Sequence, residues 1–196
     1  MYNLNDASFD AKPGTIIFNN GDAGVVNNVT VTIAKKTAED KPTSPDYKLV
    51  FTDENGGTCN TSFYYITEAT SWATIDELVK KQGTVLKHVL HAIYGNSYVI
   101  PGTFSTAKEL LDGCMKLVRD GLASGAKFRV FANYGSTQKV SNYIQPRNWV
   151  PFMESMSVDA KESRLVAGKI DAMARLEKTE ISGPANADTL VDGDDW

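Results

Sequence analysis

The chain has 196 residues and a mass of 21.4 kDa, enough for one ordinary domain with a sizeable core. Its formal net charge of −4 hides an asymmetry: five of the 24 acids lie beyond the last cation, Lys178, so residues 1–178 stand at +1 and residues 179–196 at −5. With 42% hydrophobic and 22% charged residues, and no apolar run near the ~18 residues a spanning helix needs, wholesale disorder and membrane insertion are both excluded.

In chain order, residues 1–13 are polar and read as an extended arm. β-Branched alternation begins near Thr15 and predicts a long first strand over 24–36, with Val25, Asn27, Val29, Val31 and Ile33 on one face. The two prolines and mixed charge of KTAEDKPTSPD mark a loop. A second strand, 47–53, carries Tyr47, Leu49 and Phe51 on one face. The turn signal DENGG then returns the chain into a third strand, TSFYYITE, making 47–67 a hairpin.

From Thr74 to Tyr94 the hydrophobic period becomes helical, and Thr74-x-x-Glu77 has the form of a capping box. A second helix is predicted over 105–123. Strand texture resumes at 126–134 and at 138–144, a second hairpin, followed by the irregular PRNWVP. Asp159-x-x-Glu162 and the spacing of Leu165, Val166, Ile170, Met173 and Leu176 predict a C-terminal helix over 158–178. Residues 179–196 have no periodicity and read as a disordered acidic tail.

The resulting string is a strand, a hairpin, a helical insertion and a second hairpin. It predicts a mainly β, α+β domain over 14–157, a five-stranded OB-fold-like barrel with helices between strands 3 and 4. Such barrels bind single strands on a sheet face and its hairpin loops.

Candidate binding residues come from an acid-free window between Asp120 and Glu154. It holds Lys127, Arg129, Lys139 and Arg147 among Phe128, Phe131, Tyr134, Tyr143, Trp149 and Phe152. Cations neutralise phosphates and flat rings stack on unpaired bases, each stack contributing ~1–3 kcal/mol. Strand alternation puts Lys127, Arg129, Phe131 and Asn133 on one face, with Phe128, Val130, Ala132 and Tyr134 facing the core. Burying Phe131 would mean burying the cations beside it, so Phe131 is expected to be an exposed stacking platform. Lys139 and Tyr143 extend that surface; Arg147 and Trp149 flank it, and Lys48 adds a phosphate contact from the first sheet.

His88 and His91 are three residues apart on the first helix, but no cysteine or carboxylate cluster completes a metal site there. Phosphate-loop, dinucleotide and nucleophile-elbow motifs are absent. The expectation is a protein without catalytic activity, metal or cofactor. No basic region followed by an apolar run opens the sequence, so a cytoplasmic location is expected, with Cys59 and Cys114 as free thiols.

The ending, DTLVDGDDW, sets four carboxylates close to a terminal Trp. In this it resembles the acidic, aromatic-tipped tails of single-stranded DNA-binding proteins, the bacteriophage type above all, since Asp195-Trp196 replaces the Pro-Phe of the bacterial type. The resemblance implies that Asp192, Asp194, Asp195 and Trp196 recruit replication proteins such as a polymerase or helicase-primase. It further implies coating of single-stranded DNA during replication or recombination; a homo-oligomer is a separate expectation. The other readings are a phage structural or protein-interaction component and a small carbohydrate-binding domain.

Overall fold

The computed structural model describes residues 16–134, 144–147, 149–171 and 173. The arm at 1–13, the strand residues 138–143, the tail and the end of the expected C-terminal helix lie outside the described residues.

The chain forms an α+β fold built on an open, mostly antiparallel six-stranded sheet with two helices. The elements are β1 (Gly24–Lys35), β2 (Tyr47–Thr52), β3 (Thr58–Phe63), α1 (Ile75–Tyr94), α2 (Ala107–Leu122), β4 (Phe128–Tyr134), β5 (Ile144–Pro146) and β6 (Met153–Ser155). The strand order is β3-β2-β1-β4-β5, and β6 also pairs with β4. Among the described residues no ladder joins β3 to β5, so the sheet is open along the seam where these two end strands run close together.

Alternation accounts for β2, where Tyr47, Leu49 and Phe51 are buried and their neighbours half-exposed. β1 is less regular. Val26, Val29 and Val31 are its buried residues, because the register with β4 shifts between Val26 and Val29 around Asn28, whose φ is +57°. One extra residue in a strand moves the following side chains to the other face. Val25 and Asn27, expected beside Val29, are therefore exposed.

β3 begins three residues earlier than the sequence pattern suggests. Asp53 closes the turn by accepting backbone N–H bonds from Asn55 at 2.9 Å and Gly57 at 2.8 Å, so pairing with β2 resumes at Thr58. Tyr64 to Thr67 continue without a ladder.

The helices pack by the stripe that their spacing predicts. Leu86, Val89 and Leu90 of α1, with Leu111, Cys114, Met115 and Val118 of α2, share a core with Leu49, Phe51, Phe63, Phe128 and Val130 of the sheet. Thr74 and Glu77 form the reciprocal capping box at the start of α1. α2 is tied to the sheet by Asp112, which accepts hydroxyl bonds from Tyr47 at 2.6 Å and Tyr65 at 2.7 Å. Burial alone would raise this carboxyl. Hydrogen bonds from Lys108, Tyr47 and Tyr65 outweigh it and hold the group down to about 2.

The C-terminal helix is not formed over the described part of 158–178. Residues Ala160–Glu162 make one 3-10 turn, and the chain then runs irregularly to Asp171. The N–H of Arg164, which a helix would direct to the carbonyl of Ala160, is donated instead to Glu154 at 2.7 Å. This irregular strap has structural work to do against β4.

Candidate functional site

The β4 face expected to be open is covered. Arg129, Phe131 and Asn133 are all buried, Phe131 to 1% exposure. Burial of the ring does bring burial of the cations, and two carboxylates make that tolerable. Glu154 Oε2 lies 4.0 Å from Arg129 Nη1 and accepts from the Ser163 hydroxyl at 2.7 Å. Arg129 Nη2 also donates to the Val158 carbonyl at 2.8 Å. Asp171 accepts from Arg147 Nη1 at 3.1 Å, from the Gly168 N–H at 2.7 Å and from Asn133 Nδ2 at 3.5 Å. With Leu165 buried between these two hubs, the strap is fastened across the strand.

Phe131 is therefore a core ring and not a stacking platform. The guanidinium of Arg147 sits 4.3 Å from its centroid and 5.7 Å from that of half-buried Trp149. Arg147 further donates to the carbonyls of Val166 and Pro151. Of the β4 candidates only Lys127, one residue before the strand, is exposed, and its ammonium donates to Thr30 Oγ1. Lys139, Tyr143, Asp192, Asp194, Asp195 and Trp196 lie outside the described residues.

Exposed aromatic and basic groups meet instead beside β3, at its seam with β5. A groove of about 660 Å³ runs there, bordered by β3, α1, β5 and Phe152. Tyr64 and Lys81 line it. Lys81 Nζ also lies 5.5 Å from the ring centroid of Trp72, which is not among the lining residues. Tyr64 is 47% exposed and Trp72 68%. Neither ring was singled out by sequence: Tyr64 looks like one more strand residue, and Trp72 stands alone in the polar turn before α1.

The edge of β3 has a definite polarity. The Asp53 N–H bonds to the Gly57 carbonyl at 3.0 Å, which makes 51/59, 49/61 and 47/63 the hydrogen-bonded pairs of the β2–β3 ladder. Thr58, Asn60 and Ser62 therefore turn N–H and C=O away from β2. Two of the chain's own groups close the ends of this edge. Ile17 forms a bridge to Thr58, over Gly57, where a Cβ would lie 2.6 Å from the Ile17 carbonyl oxygen. At the other end the Gln82 carboxamide pairs with Tyr64, accepting from its N–H at 3.1 Å and donating to its C=O at 3.2 Å. Among the described residues, no hydrogen bond reaches the outward N–H or C=O of Asn60 or Ser62. Lys48 stands directly across from Ser62 on the outer face of the sheet.

A second, more polar cavity of about 550 Å³ lies between the end of α1 and the strap, lined by His88, His91, Glu154 and Arg164 among others. Its histidines are engaged in the fold. His88 Nε2 accepts the N–H groups of Phe152 at 3.1 Å and Met153 at 3.2 Å, and His91 Nε2 lies 3.1 Å from the Tyr98 carbonyl. Burial, reinforced by Arg164, pushes His88 down to about 4. No cluster of three or more metal-ligating side chains occurs among the described residues. Cys59 and Cys114 are buried free thiols, and burial pushes Cys114 up to about 11. No helix among the described residues is long and apolar enough to cross a membrane.

In comparisons with family models, curated proteins and solved structures, nothing matches this chain.

Proposed function

We propose that the protein is a non-enzymatic single-stranded DNA-binding protein of the phage type, and that the strand lies along the groove beside β3. The observation that carries this reading is the groove beside β3, where exposed Tyr64 shares the lining with Lys81, whose ammonium lies over the exposed Trp72 ring. Rings for stacking and a cation for phosphate are the two components a sequence-tolerant binder needs.

Two further features support it. The strand order β3-β2-β1-β4-β5, with helices between the third and fourth strands, is compatible with an OB-fold-like arrangement with a sixth strand added, which supports the reading. The −5 tail ending in Asp194, Asp195 and Trp196 has the composition of a recruiting tail for replication proteins. Lys48 and Lys127 supply additional phosphate contacts, whereas Arg129 and Arg147 hold the strap.

The test is a titration with oligo-dT at 50 and 200 mM salt, alongside a duplex of equal length. The proposal expects single-strand binding that weakens with salt and exceeds duplex binding. A protein-interaction role would instead leave both nucleic acids unbound.

A further inference from the structure

We infer that Asn55 is a site of spontaneous deamidation, and that its isoaspartyl product unfastens the β2–β3 turn from the segment that precedes β1. Nothing in this chemistry depends on the single-strand reading above.

Asn-Gly occurs twice in the chain, at 20–21 and at 55–56. In this dipeptide the glycine main-chain nitrogen can attack the asparagine carboxamide carbon with no Cβ in its way. A new N–Cγ bond forms as the Cγ–Nδ2 bond breaks, ammonia leaves with the proton of the attacking amide, and a five-membered imide results. Water then opens the imide at either carbonyl, giving aspartate or, with one extra methylene in the main chain, isoaspartate. Both products carry a new carboxylate, and water is the only co-reactant.

The fold separates the two dipeptides. Asn55 and Gly56 are both exposed at the tip of the turn, with Gly56 at φ +85° and nothing nearer to its Cβ position than Ile16 Cδ1 at 3.9 Å. The attacking nitrogen is held by a backbone bond from the Gly56 N–H to the Asp53 carbonyl at 3.1 Å. Opening one exposed turn takes little free energy. At 20–21 the glycine is buried, and its carbonyl accepts the Tyr134 hydroxyl at 2.8 Å. Phe18, in the same short turn, is 1% exposed. Freeing the Gly21 nitrogen means opening packed core, a far rarer event.

What reaction at Asn55 does follows from Asp53. Its Oδ1 accepts the N–H of Asn55 at 2.9 Å and of Gly57 at 2.8 Å, and its Oδ2 accepts the N–H of Asn19 at 2.7 Å. An extra main-chain atom between residues 55 and 57 lengthens the span that this one carboxylate bridges. Gly57 has no room to shift, since a Cβ there would lie 2.6 Å from the Ile17 carbonyl oxygen. The new carboxylate also stands beside those of Asp53 and Glu54, and like charges repel. The Asn19 anchor and the Ile17–Thr58 bridge are then lost together.

The test incubates the full-length protein at pH 8 and 37 °C, folded and in concentrated urea, and follows Asn55 and Asn20 by mass-spectrometric peptide mapping. In urea the two are expected to convert at similar rates; in the folded protein Asn55 should convert at least tenfold faster than Asn20. Similar rates at both positions in the folded protein, or an Asn55 that stays intact while the urea-treated chain converts, would overturn the assignment. Amide exchange of the aged, ¹⁵N-labelled protein reads the consequence. The Asn19 and Gly57 amides should exchange at least tenfold faster after ageing in wild type but not in Asn55→Gln, whose longer side chain closes the ring poorly. Full protection of both amides in the isoaspartyl form would overturn the unfastening.

Discussion

The outward side of β4 and the groove beside β3 use the same residue types, cations beside aromatic rings, to opposite ends. On β4 the charges are consumed internally: Arg129 faces Glu154, and Arg147 pairs with Asp171 while lying over Phe131. Along β3 the rings of Tyr64 and Trp72 are exposed, and Lys81 shares its groove with Tyr64 and lies over Trp72. The difference lies in what covers each strand. A strap anchored by two carboxylates turns one basic aromatic face into core, whereas the groove beside β3, between it and β5, leaves Tyr64 exposed.

The sharpest way to break this contrast is to remove a carboxylate beneath the strap. Asp171→Ala leaves Arg147 buried without its countercharge and is expected to destabilise the fold by about 3–5 kcal/mol. Thermal unfolding should show a Tm lower by on the order of 10 °C. An unchanged Tm would mean that the strap does not depend on this pair.

Acid attacks the other end of the strap. His88 is held near 4 against an ordinary value of 6.5, so the unfolded chain takes up its proton first as pH falls. Its contribution is fully present above pH 6.5 and is lost between there and about pH 4, up to about 3 kcal/mol. Protonation removes the lone pair that receives the Phe152 and Met153 N–H groups. Denaturant unfolding at pH 7 and pH 4.5, compared with His88→Gln, measures this: the variant should show a flatter pH dependence.

The two strands should also separate by readout. Tyr64→Ala and Trp72→Ala are each expected to weaken oligo-dT binding by ~1–3 kcal/mol with little change in unfolding. Phe131→Ala should do the reverse, costing about 3–5 kcal/mol of stability and leaving the affinity of the folded protein unaltered. Equilibrium titration paired with chemical denaturation of each variant distinguishes them. The smallest effect belongs to the lysines: Lys48→Gln and Lys81→Gln should each reduce the log–log salt slope by ~0.7.

Local signals carried most of the fold. The Thr74/Glu77 box, the alternation of Tyr47, Leu49 and Phe51 and the DENGG turn each depend on residues close in sequence, and each appears where the pattern puts it. What escaped depends on distant partners. Asn28 reverses the facing of β1 through one left-handed residue, which alternation does not anticipate. Asp159-x-x-Glu162 has the form of a helix start, but Ser163 and Arg164 give their donors to Glu154 and stop the helix after one turn. The same long-range pairing concealed the burial of Arg129 and Phe131, because nothing near them in sequence announces Glu154 or Asp171. Trp72 offered one signal: a large ring in a short turn otherwise made of Thr, Ser and Ala.

Affinity for oligo-dT of a variant carrying both Tyr64→Ala and Trp72→Ala, measured against wild type at 50 mM salt, tests most directly whether the groove beside β3 is the nucleic-acid face. Binding at least tenfold weaker, with unfolding unchanged, is the predicted result; wild-type affinity in that variant would contradict it.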